Sequence, residues 1–264
     1  MRSNSEEIEA TLIIWSENPQ AIVRQIADLT SIANYRLVPQ ESQRIHDLYL
    51  DTPEQALQTQ KLALRVREIE VTHWLTLKGQ SRSTDWGGVK RLEIEAPWSE
   101  DALTRVIKEL ADRKITLKQQ SQDFHHMHPL DVMASLGLEV IQDRETQRQV
   151  RNIIFMGEEG GPVLAEMGID SVVYHFSDQT ICHYELEIEA KVRNGLTVLR
   201  TLIESLVAMY GPTLRGWDHG KLATGKAIEW LLNKGSLEGL LEIDNHLKPG
   251  AYDKMSAYLK SGNV

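Results

Sequence analysis

The feature that most constrains this chain is a period-two alternation whose polar side draws on one narrow vocabulary. In residues 6–14, Ile8, Ala10, Leu12 and Ile14 fall on one face, and Glu7, Glu9 and Thr11 fall on the other. Residues 62–68 set Leu62, Leu64 and Val66 against Ala63, Arg65 and Arg67. Residues 91–96 set Leu92, Ile94 and Ala96 against Arg91, Glu93 and Glu95. Successive side chains of a strand point to opposite faces, so this pattern marks β-structure. The same mixture of carboxylate and guanidinium or ammonium recurs at Lys78, Arg148, Glu166, Asp170, Glu185, Glu187 and Glu189. A face that merely met water would use Ser, Thr, Gln and Asn freely, and few of these stand at the positions named.

The remaining segments supply helices to cover the apolar faces. Asn18 and Pro19 read as N-cap and first helical position of a helix over 19–33, with Ile22, Val23, Ile26 and Leu29 as its stripe. Ser99, Glu100 and Asp101 open a second helix over 100–112, with Leu103, Val106, Ile107 and Leu110 buried. A short helix is expected at 129–136, and a long one at 195–210 that stops at Gly211-Pro212. Further strands are expected at 44–51, 72–78, 138–156, 163–175 and 181–192, and the tail over 222–260 reads as two or three helical pieces. No βαβ rhythm appears, so the sheet should be antiparallel. Apolar helices need an apolar sheet face, which turns the charged faces inward. The fold class expected is α+β: an eight-stranded antiparallel β-barrel tunnel with a charged lumen, helices packed outside and a helical C-terminal tail. Residues 1–225 would form the barrel domain, and 226–264 a helical extension packed on it.

A confined array of mixed charge has a chemical use. Arginine binds phosphoryl oxygens in a bidentate fork, and lysine binds them as a point charge. Carboxylates repel phosphate but hold Mg²⁺ or Mn²⁺, which bridges to it. The array therefore points to a polyphosphate taken up with divalent cations. This is how a chain of formal net charge −9 binds an anion, although that charge makes nucleic acid or an anionic membrane a poor partner. The lone cysteine, Cys182, allows no intrachain disulfide and fits a reducing compartment. Residues Met1–Glu7 hold no apolar run of signal-peptide type, and no stretch reaches transmembrane length, so a cytoplasmic location is expected. His125, His126 and His128 read as a solvated turn rather than a zinc site, Gly87-Gly88 as a flexible hairpin, and Tyr210, Trp217 and Trp230 as core.

From Glu7-Ile8-Glu9 onward the sequence resembles the CYTH family, the triphosphate tunnel metalloenzymes, which includes thiamine triphosphatase and class IV adenylate cyclase. The family's first-strand signature is E-x-E-x-K; here Thr11 stands at the lysine position. Tyr49-Leu50-Asp51-Thr52-Pro53 is similar to its Y-x-D-T-P segment, Leu64-Arg65-Val66-Arg67-Glu68 to its L-R-x-R-E strand, and Leu75-Thr76-Leu77-Lys78 to its L-T-x-K strand. Arg91-Leu92-Glu93-Ile94-Glu95, Arg148, Glu166-Met167-Gly168-Ile169-Asp170 and Glu185-Leu186-Glu187-Ile188-Glu189 follow in the family's order. Gly220-Lys221-Leu222 resembles a late S-K-Y/L motif, with glycine for serine. The match spans roughly 6–225.

The resemblance implies metal-dependent hydrolysis of the terminal phosphoanhydride of inorganic triphosphate, thiamine triphosphate or a nucleoside triphosphate. It implies phosphate binding by Arg65, Arg67, Lys78, Arg91, Arg148 and Lys221, with Thr11 a weakened member, and metal binding by Glu7, Glu9, Asp170, Glu187 and Glu189. Glu7, Glu9, Arg65, Arg148 and Lys221 would carry the catalysis, and Glu93, Glu95, Glu166 and Glu185 would line the tunnel. The cofactor expected is Mg²⁺ or Mn²⁺, and the protein a monomer or homodimer. A class IV-type adenylate cyclase and a non-catalytic polyphosphate-binding protein are the alternatives; a carrier of apolar ligands is disfavoured by the charged lumen.

Overall fold

The computed structural model describes residues 8–79, 82–83, 89–90, 93–118, 127–158, 160–192 and 195–261. Glu7, Arg91, the pair Gly87-Gly88, and His125 and His126 lie outside the described residues. In chain order the elements begin with β1 (Glu9–Ile14), α1 (Pro19–Ala27), β2 (Ser31–Ile32), β3 (Tyr35–Pro39), β4 (Gln43–Asp51) and α2 (Ala56–Thr59). Next come β5 (Ala63–Ile69), β6 (Thr72–Lys78), the short pair β7 (Arg82–Ser83) and β8 (Val89–Lys90), and β9 (Glu93–Pro97). Helices α3 (Glu100–Asp112) and α4 (Pro129–Ser135) follow, then β10 (Glu139–Phe155), β11 (Ala165–His175) and β12 (Thr180–Ala190). The chain ends with α5 (Leu196–Tyr210), β13 (Leu214–Gly216), α6 (Lys221–Asn233) and α7 (Pro249–Lys260). Among the described residues no helix is long and apolar enough to cross a membrane.

The chain divides into two compact units, one of residues 1–6 and 45–145, the other of 7–44 and 146–264. Strand β10 contributes its first part to one and its second part to the other. In the first unit the hydrogen-bonded order is β10-β4-β5-β6-β9; in the second it is β13-β1-β12-β11-β10, with β3 also on β10. The ladders β4–β5, β5–β6 and β6–β9 in the first and β1–β12 and β11–β12 in the second are antiparallel, as the missing βαβ rhythm predicts. Among the described residues the strands form an open hydrogen-bonded path, ending on β9 in the first unit and β13 in the second, and not the closed eight-stranded ring that the sequence predicts.

In the first unit the register stacks Leu48 on Val66, Leu50 on Leu64, Leu64 on Leu77, Val66 on Leu75, Leu75 on Ala96 and Leu77 on Ile94. That apolar face packs on Leu57 of α2, Leu103, Val106 and Leu110 of α3, and Val132 and Met133 of α4. Ser99 caps α3 by accepting a hydrogen bond from the Ala102 amide at 3.2 Å, and the helix occupies the 100–112 predicted for it. Asp51 and Thr52 do local work. Asp51 takes the Thr52, Leu57 and Gln58 amides at 2.7, 2.8 and 2.9 Å, which ties the loop after β4 to α2.

In the second unit Leu12, Ile14, Met167, Ile169, Leu186 and Ile188 pack against Ile26 of α1 and Leu199, Leu202 and Leu206 of α5. Helix α1 stops at Ala27, short of the expected 33. Residues 31–39 instead make a hairpin whose second strand pairs Pro39 to Tyr35 with Arg151 to Phe155, and Ile32 and Leu37 join the same core. Tertiary pairing outweighs helical propensity there. A third cluster joins α6 and α7 to Ile13, Val172, Tyr174 and Ile181, which gives the helical tail its place.

Candidate functional site

Turning the apolar faces to the helices leaves the charged alternates on the other side. In the first unit the register sets Asp47 opposite Arg67 and Tyr49 opposite Arg65, and, one and two strands on, Thr76 opposite Arg65 and Glu95 opposite Thr76. Asp47 is 1% exposed. Arg67 grips it with a fork, Nε donating at 2.7 Å and Nη2 at 2.9 Å. Arg144 donates to the same carboxylate from the far side, and Arg65 Nε stands 3.7 Å away. Arg65 Nη1 also donates to the Tyr49 hydroxyl at 3.3 Å, and its Nη2 lies 3.6 Å from Glu95. The Arg144 guanidinium lies over the Tyr49 ring, 5.2 Å from its centroid. Lys78 pairs with Glu93 at 2.9 Å.

Burial by itself would raise the Asp47 pKa. The guanidiniums of Arg65, Arg144 and Arg67 outweigh it and hold the carboxyl well below its ordinary range. Burial likewise works against ionising Tyr49, yet Arg144 and Arg65 pull its phenol down to about 8. One deeply buried carboxylate thus faces three guanidiniums, with Glu95 at the margin. Among the described residues Arg65, Arg67, Arg144 and Lys78 outnumber Asp47, Glu93 and Glu95 on this face.

The second unit repeats the construction with the opposite sign. Its polar face is laid out in rows by the register of β1, β12 and β11: Glu9 with Glu189 and Glu166, then Thr11 with Glu187 and Gly168, then Ile13 with Glu185 and Asp170. Glu9 is exposed, while Glu185 and Asp170 are 1% and 0% exposed, so the face runs from solvent into the interior. Beyond the third row, Val172, Tyr174 and Ile181 are covered by Ala227, Ile228 and Leu231 of α6 and Ala251, Tyr252 and Met255 of α7.

Among the described residues three cations enter these rows. Arg148 donates to Asp170 through Nε at 2.8 Å and Nη2 at 2.6 Å, and Nη2 also reaches Glu187. A Cβ at position 168 would stand 3.0 Å from Arg148 Nε, so Gly168 leaves the room that the guanidinium fills. Lys221, the first residue of α6, sets its Nζ 3.0 Å from Asp170, 2.5 Å from Glu187, and against Glu185. Lys191 pairs with Glu189 at 2.6 Å and lies 3.8 Å from Glu166.

The titration of this group follows from that packing. Burial pushes the Glu185 carboxyl up; Lys221 opposes this, the charges of Glu187 and Asp170 add to it, and the result is about 7. Burial also opposes ionisation of Glu187, but Lys221 and Arg148 hold it well below the ordinary carboxylate range. Burial would lower Lys221, and Glu185, Glu187 and Asp170 more than offset it, so its pKa rises. Oxygens of Asp170, Glu185 and Glu187 lie within 4.8 Å of one another. Three carboxylates are a hard-oxygen donor set that fits Mg²⁺ or Mn²⁺, and a divalent ion there would exchange with the ammonium and guanidinium that now hold the same oxygens.

The structure therefore sorts the residues chosen from sequence. Arg65 and Arg67 come together; Lys78 is joined to Glu93; Arg148 and Lys221 sit among acids. Of the metal candidates, Asp170 and Glu187 meet and are joined by Glu185, which the sequence marked only as lining. Glu189 and Glu9 stand in the outermost row, and Thr11 faces Glu187. Sequence reading missed Asp47, Tyr49 and Arg144. A signal existed for the last: Gln142, Arg144, Thr146 and Arg148 alternate along β10, and the first three are 8%, 1% and 3% exposed.

The CYTH domain family profile matches residues 20–213. The chain belongs to the CYTH domain family. Among solved structures, this CYTH domain is similar to HpAC1 from Hippeastrum, a candidate adenylyl cyclase reported to have a dominant triphosphatase activity. The identity is 16%, with 84% of this chain and 96% of that one covered at a TM-score of 0.51. The PH1819 protein from Pyrococcus horikoshii OT3 shows 16% identity over 86% of this chain and 99% of its own, with a TM-score of 0.47. A candidate adenylate cyclase from Bacillus halodurans shows 16% identity over 83% and 96%, with a TM-score of 0.46. No curated protein matches the chain.

Proposed function

We propose that this CYTH domain hydrolyses the terminal phosphoanhydride of a small-molecule triphosphate with the help of Mg²⁺ or Mn²⁺. The observation that carries the reading is the opposite charge excess of the two polar faces: three guanidiniums around Asp47 in one unit, and three clustered carboxylates in the other. A phosphate chain needs the first and a divalent cation needs the second. The family resemblance and the triphosphatase activity reported for the Hippeastrum neighbour support the same reading.

On this reading Arg65, Arg67 and Lys78 bind phosphoryl oxygens, exchanging their present carboxylate partners for phosphate. Arg148 and Lys221 offset charge that develops on the leaving group. Asp170, Glu185 and Glu187 hold the metal, with Glu9 and Glu189 supplying oxygens from the outer row; Glu7 and Arg91 keep the roles their motifs imply. A bound divalent ion supplies Lewis acidity and lowers the pKa of a coordinated water. Gly168 keeps the space over the second row free for Arg148, and Thr11 offers a hydroxyl where a lysine would add a charge.

The test is a panel of inorganic, thiamine and nucleoside triphosphates with each metal, assayed for orthophosphate, pyrophosphate and cyclic nucleotide. Metal-dependent orthophosphate release is expected, and it should disappear in Glu187→Gln. Cyclic nucleotide with pyrophosphate would assign the cyclase reaction instead, and tight binding without product would assign a polyphosphate-binding role.

A further inference from the structure

Lys221 has a long flexible stem, and three carboxylates define where its ammonium ends but not where its stem begins. Its root is the first turn of α6, whose N-cap residue, Gly220, has no side chain and makes no side-chain capping hydrogen bond. Serine at an N-cap would accept a hydrogen bond from an amide of the first turn, which glycine has no side chain to do. A tether on the turn comes from the sheet. The Tyr174 hydroxyl donates to the Lys221 carbonyl at 2.8 Å, and Tyr174 is 0% exposed. The ring is held in turn, stacked on His183 with centroids 5.8 Å apart and planes 23° apart. Tyr174 is four residues beyond Asp170 on β11 and so shares its face.

We infer that Tyr174 is a positioning residue: its hydroxyl fixes the main chain of Lys221 and so sets where the ammonium stands among Asp170, Glu185 and Glu187. This rests on the proposed catalytic reading for its effect on rate, though not for its effect on Lys221 itself. The hydroxyl in the sheet takes over the tethering that a serine at 220 would provide from within the helix.

Two readouts in the full chain test it. The first is the acetylation rate of Lys221 under trace acetic anhydride, followed by mass spectrometry. Tyr174→Phe keeps the ring and its stack and loses only the oxygen. It should raise the Lys221 rate about threefold or more, with other lysines unchanged. The second is steady-state turnover with Mg²⁺ and inorganic triphosphate, where kcat should fall about tenfold, equivalent to about 1.4 kcal/mol of barrier, while KM changes less than about twofold. Adding Gly220→Ser to Tyr174→Phe restores a tether, since a Cβ at 220 meets nothing within 4 Å; the double variant should recover both readouts. An unchanged Lys221 labelling rate in Tyr174→Phe overturns the inference. So does raised labelling that Gly220→Ser leaves uncorrected. A wild-type protein without turnover defeats the proposed activity alone, because the labelling experiment still reports on Tyr174.

Discussion

The polar face of the first unit and that of the second are built alike and charged oppositely. Each is the alternate side of an antiparallel sheet whose other side is sealed by helices, and each centres on a carboxylate at most 1% exposed, Asp47 in one and Asp170 in the other. Around Asp47 stand Arg65, Arg67 and Arg144; around Asp170 stand Arg148 and Lys221, with Glu185 and Glu187 as further acids. The lesson is that charge balance within a buried cluster, rather than the number of charges, states what the cluster will accept. On the proposed reading the face built around three guanidiniums takes phosphate, and the face built around three clustered carboxylates takes a metal ion.

The comparison is easiest to break at the most deeply buried acid of the cationic face, Asp47. Asp47→Asn keeps the shape and leaves three guanidiniums without their deepest counter-charge, a change expected to cost about 3–5 kcal/mol, measured by urea unfolding. Inorganic triphosphate should recover more stability in the variant than in the wild type, as a ligand of the folded state. The sign of the acid limb follows from the depressed pKa of Asp47. Its contribution is present above the unfolded value of about 3.9 and is lost as pH falls through the folded value, so the variant should show a flatter acid limb. A variant as stable as wild type would mean that the arginines do not depend on Asp47.

The mirror-image change is Lys221→Met in the anionic face. It leaves the buried Asp170 and Glu185 and the half-buried Glu187 with Arg148 and should cost about 3 kcal/mol. Here the rescuing ligand is the opposite one: Mg²⁺ or Mn²⁺ should raise the thermal midpoint of the variant more than that of the wild type, and triphosphate without metal should not. If anions rescue Lys221→Met and metals rescue Asp47→Asn, the assignment of the two faces is reversed.

Much of this was legible in the alternation. Glu185, Glu187, Arg65, Arg67, Lys78 and Asp170 could be placed on one side of their strands because a period of two leaves no other side. The helix over 100–112 was legible because its cap and stripe agree. What escaped was fixed by cross-strand register. Asp47 gains its meaning from Arg67 opposite it and Arg144 behind it, and no local pattern encodes either pairing. The hairpin over 31–39 was lost for the same reason: its second strand exists because residues 151–155 pair with it. Glu185 was underrated because sequence spacing cannot tell the solvent end of a strand from its sealed end; α6 and α7, from far along the chain, make that difference.

A smaller effect separates the faces by pH. Glu185 has its pKa raised from its ordinary value to about 7 by burial and by its acidic neighbours. A raised folded pKa means the protonated form contributes stability that is whole below the unfolded value, near 4.3, and is lost as pH rises through 7. The loss is on the order of 3–4 kcal/mol, the attraction of Lys221 being already contained in the value of about 7. Glu185→Gln should remove that slope between about pH 5 and 8 and leave the acid limb from Asp47 in place. An unaltered slope in Glu185→Gln would place the titrating group elsewhere.

The finest test uses Tyr49 as a probe of the cationic face. Its phenol lies between two guanidiniums and ionises at about 8, below the ordinary value of about 10 for tyrosine. Near-ultraviolet tyrosinate absorbance should show one early step in the wild type and none in Tyr49→Phe. Filling the face with an anion spends the positive charge that lowers this pKa, so saturating inorganic triphosphate should move the early step upward by about one unit. Divalent metal alone should leave it where it is, because the acids that would take the metal lie in the other cluster. A step that moves with metal and not with triphosphate would show that the arginines around Asp47 are fully committed to protein carboxylates, and that the phosphate chain is bound by other residues.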